Sequence, residues 1–148
     1  QGQITSYILE LKQEEAPPPY PFEKEHVLLQ CVARKDRDGA RRLTDALLAL
    51  GTKSALITSI PVDGQPSVVG YNHVDGEYFC LPYTEIPVHF PGTGDIFSAV
   101  LIGRLLDGEM LKPSTRRAMD AVYTLIDLNK DNEDKNRGIP LEKYLDVL

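Results

Sequence analysis

The hydrophobic positions along the chain change their spacing from segment to segment, and each spacing predicts a different element. One apolar set recurs at i, i+3, i+4 and i+7, as on one face of an amphipathic helix: Leu43, Ala46, Leu47 and Leu50. Gly51 follows where a left-handed residue commonly ends a helix. Residues 55–58 then form an apolar run that predicts a buried strand. A helix, a glycine and a strand are half of a parallel-sheet unit, so we expect a Rossmann-like, mostly parallel α/β sheet flanked by helices.

The next part of the chain predicts a hairpin and then an apolar helix. Residues 67–74 and 77–81 flank Asp75-Gly76, a strong signal for a tight turn between two antiparallel strands. We place this hairpin at the edge of the sheet. Residues 95–106 are apolar nearly all round, which is typical of a helix buried in the middle of a domain, and Gly108 is expected to end it.

The C-terminal part predicts two more helices. Ser114 is a candidate N-cap for the first, whose inner face would consist of Ala118, Val122, Leu125 and Ile126. A charged loop at residues 129–137 follows, and residues 141–148 are expected to form a short closing helix.

The N-terminal part carries weaker signals. Residues 13–25 include four prolines in five positions, which exclude helix and strand there and predict an extended connector. Residues 26–32 predict a short buried strand. We therefore divide the chain into an uncertain N-terminal segment, residues 1–38, and a domain part, residues 39–148.

Composition narrows the classes of partner. The net charge of -6 over 148 residues argues against a basic surface that binds nucleic acid or anionic membrane. Cys31 and Cys80 lie far apart in apolar stretches, so we expect two buried free thiols and a reducing compartment. No apolar run approaches the about 18 residues of a membrane-spanning helix, and Gln1-Gly2-Gln3 does not open a signal peptide. These features predict a cytoplasmic protein.

The stretch Gly92-Thr93-Gly94-Asp95 carries the candidate chemistry. Backbone N–H groups at a helix N-terminus bind anions, and glycines let a phosphate approach the backbone closely. A carboxylate beside such a site suits a general base that accepts the proton of an attacking hydroxyl during phosphoryl transfer. An aspartate in a first helical turn can also be no more than a partner for the helix dipole, and four residues do not decide between these roles.

The wider context of this stretch resembles a known family. The segment P-G-T-G-D-I-F-S-A-V-L-I-G-R-L-L-D-G is similar to the anion-hole segment of pyridoxal kinases, in the ribokinase-like superfamily. The segments L-L-A-L-G-T-K-S-A-L-I-T-S-I, A-V-Y-T-L-I and G-I-P-L-E-K-Y-L-D-V-L resemble other elements of that family, and so does the Asp75-Gly76 hairpin. The resemblance extends from about Ala40 to Leu148 and implies the C-terminal half of a ribokinase-like kinase.

The resemblance implies a role for each matching residue. It makes Asp95 the base that deprotonates the 5′-hydroxymethyl group of pyridoxal, pyridoxine or pyridoxamine, in vitamin B6 salvage. It also implies residues that surround ATP, namely Gly92, Thr93 and Gly94 as the anion hole, Thr58 and Ser59 at the phosphates, and Val88 in the adenine loop at residues 84–88. Mg²⁺ is expected with ATP, and the resemblance assigns no metal ligand to this chain.

The family's N-terminal half, with much of the pyridoxal pocket, has no counterpart in this sequence. The family's N-x-T-E motif is also missing before the first helix of the domain part. A half-sheet leaves an edge and an apolar face open, so we expect a homodimer or a missing half to cover them. One alternative is a non-catalytic fragment or remnant that binds nucleotide or a partner. Another is a hydroxymethylpyrimidine-type kinase, although those enzymes usually carry Cys where Asp95 stands.

Other leads are weaker. Residues 127–138 resemble an EF-hand loop but have Asn132 where the loop needs Gly and Gly138 where it needs Glu. His73 is expected to be a half-exposed strand residue, whereas His89 could support the neighbouring motif. Arg41 and Arg42 are interpreted as a solvated helix face.

Overall fold

The computed structural model describes residues 36–148, in which helices and strands alternate in blocks. The elements are α1 (Arg37–Leu48), β1 (Ala55–Val62), β2 (Gln65–Asn72), β3 (Glu77–Pro82), α2 (Thr93–Leu106), α3 (Leu111–Asn129) and a 3₁₀ turn (Leu141–Lys143). The strand and the proline-rich connector predicted before residue 36 lie outside the described residues. None of the helices in this described part has both the length and the apolar character needed to cross a bilayer.

Helix α1 forms where the spacing of apolar residues predicts it. The Asp36 side chain caps its first turn by accepting a hydrogen bond from the Gly39 N–H at 2.7 Å. Leu43 is buried, while Leu50 lies beyond the end of the helix and is 42% exposed. Gly51 has a φ of 103°, so a left-handed glycine follows the helix as predicted.

The sheet corrects the prediction of a mostly parallel arrangement for this part of the chain. Its strand order is β1-β2-β3, and both pairs are antiparallel. The cause is the shortness of both connections: Val62 pairs with Gln65 across Asp63 and Gly64, and Asn72 pairs with Glu77 across residues 73–76, which include the predicted Asp75-Gly76 turn. The strand predicted to reach residue 74 therefore ends at Asn72, and the loop has four residues instead of two. A parallel pair needs a crossover of about a dozen residues or more, so such connections allow only antiparallel pairs.

The first of these turns was missed in the sequence, although its signal is present. Asp63 and Gly64 have φ values of 51° and 81°, as a two-residue hairpin turn requires at both central positions. The Asp-Gly dipeptide is the usual signature of this turn. The prediction ended the strand at Thr58, and the structure continues it to Val62.

Helices cover both faces of the sheet. On one face, α1 packs Ala40 and Leu43 against Ile60, Val62 and Val69. On the other face lies a second cluster, here called the α2-side cluster, whose buried members are Val68, Phe79, Leu81, Leu111 and Met119. Helices α2 and α3 pack on each other through a third apolar cluster that includes Ile96 and Leu125. The described residues thus form an α/β unit of three layers.

Two local predictions in the C-terminal part are wrong. Ser114 is not an N-cap, because α3 begins at Leu111 and Ser114 lies fully buried in its second turn. Residues 141–148 form only a 3₁₀ turn, Leu141–Lys143, instead of a closing helix. Apolar side chains of that segment nevertheless pack on the cluster between α2 and α3.

Candidate functional site

The stretch that carries the candidate chemistry lies at the N-terminus of α2. Gly92 is the N-cap residue, with a φ of 86° and no side chain to accept from the first turn. The helical ladder starts with the Ile96 N–H, which donates to the Gly92 carbonyl at 3.0 Å. The N–H groups of Thr93, Gly94 and Asp95 come before that first bond, so they have no acceptor within the helix. These donors and the positive end of the helix dipole make a site suited to an anion.

The two glycines of the motif have free space around them within the described part of the chain. A Cβ atom built on Gly92 or on Gly94 would meet nothing within 4 Å. The Asp95 side chain is exposed, and within residues 36–148 it enters no salt bridge. Nothing in the described part therefore occupies its carboxylate, which remains accessible to a reacting group.

The loop before α2 is anchored by a buried side chain and by a hydrogen bond. Phe90 is only 1% exposed and anchors the loop in the interior. The Thr93 hydroxyl donates to the Phe90 carbonyl at 3.3 Å, which orients the Thr93 side chain. A rigid loop holds the first-turn N–H groups in one direction, as an anion site needs.

Thr58 and Ser59 lie at an interruption of β1. The ladder pairs Ile57 with Val69 and Ile60 with Ser67, so two residues of β1 face the one residue between them on β2. This is a β-bulge, and such bulges are frequent next to functional sites. Ser59 has a φ of 56°, which is uncommon for a residue other than glycine. Both side chains are exposed, as a contact with ATP phosphates would require.

One residue that contacts the bulge and one residue of α2 pack against the same α2-side cluster. Tyr83 follows β3, packs against that cluster, and its hydroxyl lies 3.5 Å from the Ser59 Oγ. Phe97, two residues after Asp95 on α2, packs against the same cluster. The sequence analysis did not identify this contact, which depends on the register of the bulge.

The remaining predicted residues lie in irregular segments or at turns. Val88 is half-buried, and its N–H donates to the Ile86 carbonyl at 2.7 Å in the loop before α2. His89 is exposed beside this loop. His73 lies just past β2, exposed, with its Nδ1 2.8 Å from the Ser54 Oγ.

The C-terminal segment also supports the site, which sequence reasoning missed. A Cβ atom built on Gly138 would lie 3.2 Å from the Pro91 carbonyl oxygen, immediately before the glycines of the motif. Gly138 has a φ of 74°, so its backbone too favours glycine. The signal available was the family's closing motif, which begins at this glycine.

The described residues do not supply a metal site of their own. Across residues 36–148, no three side chains of His, Cys, Asp or Glu converge in a way that could hold a metal ion. Mg²⁺ commonly binds through one or two carboxylates and the phosphates of a nucleotide. The anion site at the start of α2 fits the phosphates with which such an ion would arrive, and it leaves the Asp95 carboxylate free.

Solved structures of kinases resemble this chain. A protein assigned as a phosphomethylpyrimidine kinase from Bacteroides thetaiotaomicron is 33% identical, with a TM-score of 0.65 over 76% of this chain and 40% of its own. A second crystal form of that assigned kinase, with pyridoxal, matches at 35% identity and a TM-score of 0.59 over 72% of this chain and 40% of its own. Pyridoxal kinase from Lactobacillus plantarum is 25% identical, with a TM-score of 0.59 over 71% of this chain and 39% of its own.

These likenesses confirm the resemblance predicted from the sequence, to kinases of the ribokinase-like superfamily. No family model matches the chain, and no curated protein matches it. The chain spans about 40% of the length of the structures that it resembles.

Proposed function

From this kinase resemblance, we propose that the chain carries the ATP-phosphate site and the general base of a kinase that phosphorylates the 5′-hydroxymethyl group of a B6 vitamer. Gly92, Thr93 and Gly94 form the anion hole for the transferred phosphoryl group. Thr58 and Ser59 contact the ATP phosphates, and Val88 lies in the loop beside the adenine. Asp95 accepts the proton of the attacking hydroxyl.

One observation carries the proposal: an uncapped, open helix N-terminus with a free carboxylate in its first turn. Gly92 offers no side-chain cap, and within residues 36–148 a Cβ atom built on Gly92 or Gly94 would meet nothing within 4 Å. A carboxylate that served only the helix dipole would not need this open surface. Phosphoryl transfer needs both parts, because donors stabilise the charge of the transferred group while a base orients the nucleophile.

The Asp95 carboxylate has a defined task in this arrangement. It accepts the hydroxyl proton as the oxygen attacks the phosphorus atom, and the bond between that phosphorus and the leaving oxygen breaks. The first-turn N–H groups meanwhile donate to the oxygens of the transferred group. A general base of this kind typically contributes about 10²–10⁴-fold to the rate. Mg²⁺, when bound with ATP, neutralises phosphate charge.

The substrate class rests on the neighbours and on Asp95. One similar structure is a pyridoxal kinase, and the assigned phosphomethylpyrimidine kinase was crystallised with pyridoxal. The second candidate is a kinase for a hydroxymethylpyrimidine, favoured by the name of the neighbours at 33% and 35% identity. The aspartate where such kinases usually carry Cys favours the B6 vitamer.

The proposed enzyme is larger than this chain. The chain spans about 40% of its neighbours' length, and among residues 36–148 strand β1 lies at an edge of the sheet. We therefore expect the substrate pocket to be completed by a missing N-terminal half or by a second copy. The remaining alternative is a fragment or remnant that binds nucleotide or a partner without catalysis.

The proposal is tested first by ATP-dependent phosphorylation of pyridoxal with the 148-residue chain, alone and mixed with the N-terminal half of a related kinase. In the active form, Asp95→Ala should lower kcat by at least about 100-fold and change ATP affinity little. Asp107→Ala is the matched control, because it removes an exposed carboxylate from the opposite end of α2. Equal activity of the Asp95 variant and the wild type would refute the general-base role.

The same experiment separates the alternatives. No phosphorylation, with MgATP still raising the melting temperature, indicates a nucleotide-binding fragment. Neither phosphorylation nor a thermal shift supports the non-catalytic remnant. Faster phosphorylation of hydroxymethylpyrimidine than of pyridoxal supports the second candidate substrate.

A further inference from the structure

The backbone of Ser59 is held in a conformation that its surroundings must enforce. Its φ of 56° lies in the left-handed region, which costs free energy for any residue with a Cβ atom. Such residues persist where neighbouring groups hold them, and they are frequent at functional sites. The Ser59 side chain is exposed, so burial of that side chain does not supply the restraint.

Tyr83 is positioned to restrain the Ser59 backbone. The Tyr83 hydroxyl donates to the Ser59 Oγ at 3.5 Å, from the far side of β2. Its backbone N–H donates to the Pro66 carbonyl at 2.9 Å, which continues the β2–β3 ladder one residue beyond β3. Its ring packs against the α2-side cluster, as does Phe97. The residue is therefore fixed by its backbone and its ring, and its hydroxyl is directed to the bulge.

We propose that Tyr83 is a positioning residue that keeps Ser59 left-handed, so that the bulge presents Thr58 and Ser59 to the phosphates of a bound nucleotide. The inference rests on the proposed function, since it concerns the same phosphate site. It adds a residue outside the motif and outside the strand that carries the two hydroxyls. Because Tyr83 and Phe97 share one apolar cluster, Tyr83 also relates the bulge to the start of α2.

The decisive variant is Tyr83→Phe, which keeps the ring and removes only the hydroxyl. Tyr123→Phe is the matched control, because Tyr123 is 47% exposed on α3, a helix that does not carry the motif. We expect faster exchange of the Ser59 amide hydrogen, measured by NMR, in Tyr83→Phe alone. Calorimetry should show the Kd for MgADP rising by about three- to ten-fold, as expected for one lost hydrogen bond.

A second background, which also removes the Ser59 Oγ, tests whether the effect of Tyr83 passes through Ser59. Glycine adopts the left-handed conformation without the steric cost. In Ser59→Gly the Tyr83 hydroxyl should therefore be dispensable, and adding Tyr83→Phe should change MgADP affinity by less than about two-fold. An equal loss in both backgrounds would overturn the restraint as the mechanism.

The experiments distinguish a failure of this inference about Tyr83 from a failure of the proposed phosphate site. An unchanged Ser59 amide in Tyr83→Phe overturns the inference, whether or not nucleotide binds. A changed Ser59 amide with unchanged MgADP affinity overturns the link between the bulge and the phosphates. Failure of the wild-type chain to bind MgADP overturns the proposed phosphate site instead, and the Ser59 amide still decides whether Tyr83 restrains the bulge.

Discussion

Helices α2 and α3 pack side by side, but they bury their apolar residues to different degrees. On α3, Ala118 and Leu125 are both 0% exposed, and the outer face is largely polar apart from Tyr123 and Leu128, which are 47% and 55% exposed. Helix α2 is more apolar, but only Ile96 and Val100 are buried, and Leu106 is 81% exposed. Within the described residues, α3 buries eight of its residues and α2 only Ile96 and Val100, so the apolar surface of α2 is the less well covered.

The difference concerns function because α2 carries the candidate site. Exposed apolar area of this kind usually marks a surface that another body covers. Ala99, Gly103 and Leu106 are exposed at i, i+4 and i+7, on one face of α2. This agrees with the proposal that a missing half or a second copy completes the enzyme, since the uncovered face belongs to the helix that presents Asp95.

The largest effect is expected for a buried residue of α3, Leu125. Leu125→Ala should lower the free energy of unfolding by about 2–5 kcal/mol, because it leaves a cavity between α2 and α3. Leu106→Ala makes the same chemical change at an exposed position and should cost less than about 0.5 kcal/mol. Denaturant unfolding of the two variants measures the difference directly.

Similar losses in both variants would contradict the comparison, because Leu106 would then be covered in the 148-residue chain. Repeating the unfolding at several protein concentrations shows what covers Leu106. A midpoint that rises with concentration indicates a second copy, and a constant midpoint indicates cover from within the chain.

Sequence reasoning located most helices but not the sheet's direction. The apolar spacing predicted α1 and the inner face of α3, and the Asp75-Gly76 hairpin is confirmed. The parallel sheet was wrong for this part because the Asp63-Gly64 turn was overlooked. Periodicity reports which residues can be buried but not what buries them, so α2 was expected to be more enclosed than it is.

For the candidate site, the sequence located the motif but not its supports. Gly92 and Asp95 lie at the N-terminus of a helix, as predicted. The left-handed Ser59 and its contact with Tyr83 depend on a bulge, which local pattern does not reveal. The proximity of Gly138 to Pro91 joins residues far apart in the chain, and no local rule predicts such a contact.

An intermediate effect is expected at two glycines, Gly138 and Gly108, which lie near opposite ends of α2. Gly138, against Pro91, and Gly108, after the helix, have φ values of 74° and 88°. Substitution of either by Ala should cost about 1–2 kcal/mol for the left-handed backbone. Only at Gly138 would the added Cβ crowd a neighbour, the Pro91 carbonyl at 3.2 Å, since Gly108 has nothing within 4 Å. We therefore expect similar stability losses but different consequences for the motif.

NMR chemical shifts of the Gly92 and Gly94 amides distinguish the two variants. They should move in Gly138→Ala and stay in place in Gly108→Ala, and MgADP affinity should fall only in the former. Unmoved shifts in Gly138→Ala would mean that the C-terminal segment does not support the motif.

The smallest effect is expected on the face of the sheet that α1 covers, where α1 makes polar contacts as well as apolar ones. The Tyr78 hydroxyl donates to the Asp45 carboxylate, and the Arg41 guanidinium lies 4.3 Å from the centroid of the Tyr78 ring. The hydrogen bond to Asp45 is the main cause that raises the pKa of Tyr78. The folded state therefore holds this proton more tightly than the unfolded chain, where the pKa is about 10.

The raised pKa gives a pH dependence of definite sign. The stabilisation is fully present below about pH 10 and is lost as the pH rises through the higher pKa of the folded state. Tyr78→Phe keeps the ring under Arg41 and should cost only a few tenths of a kcal/mol at neutral pH, since the contact is open to solvent, about the range of exposed ion pairs. Above pH 10 the stability of wild type and variant should converge. Tyr71→Phe, on the neighbouring ring at 4.6 Å, should keep the wild-type slope. Parallel stability curves for wild type and Tyr78→Phe would show that the hydrogen bond from Tyr78 to Asp45 does not contribute to stability.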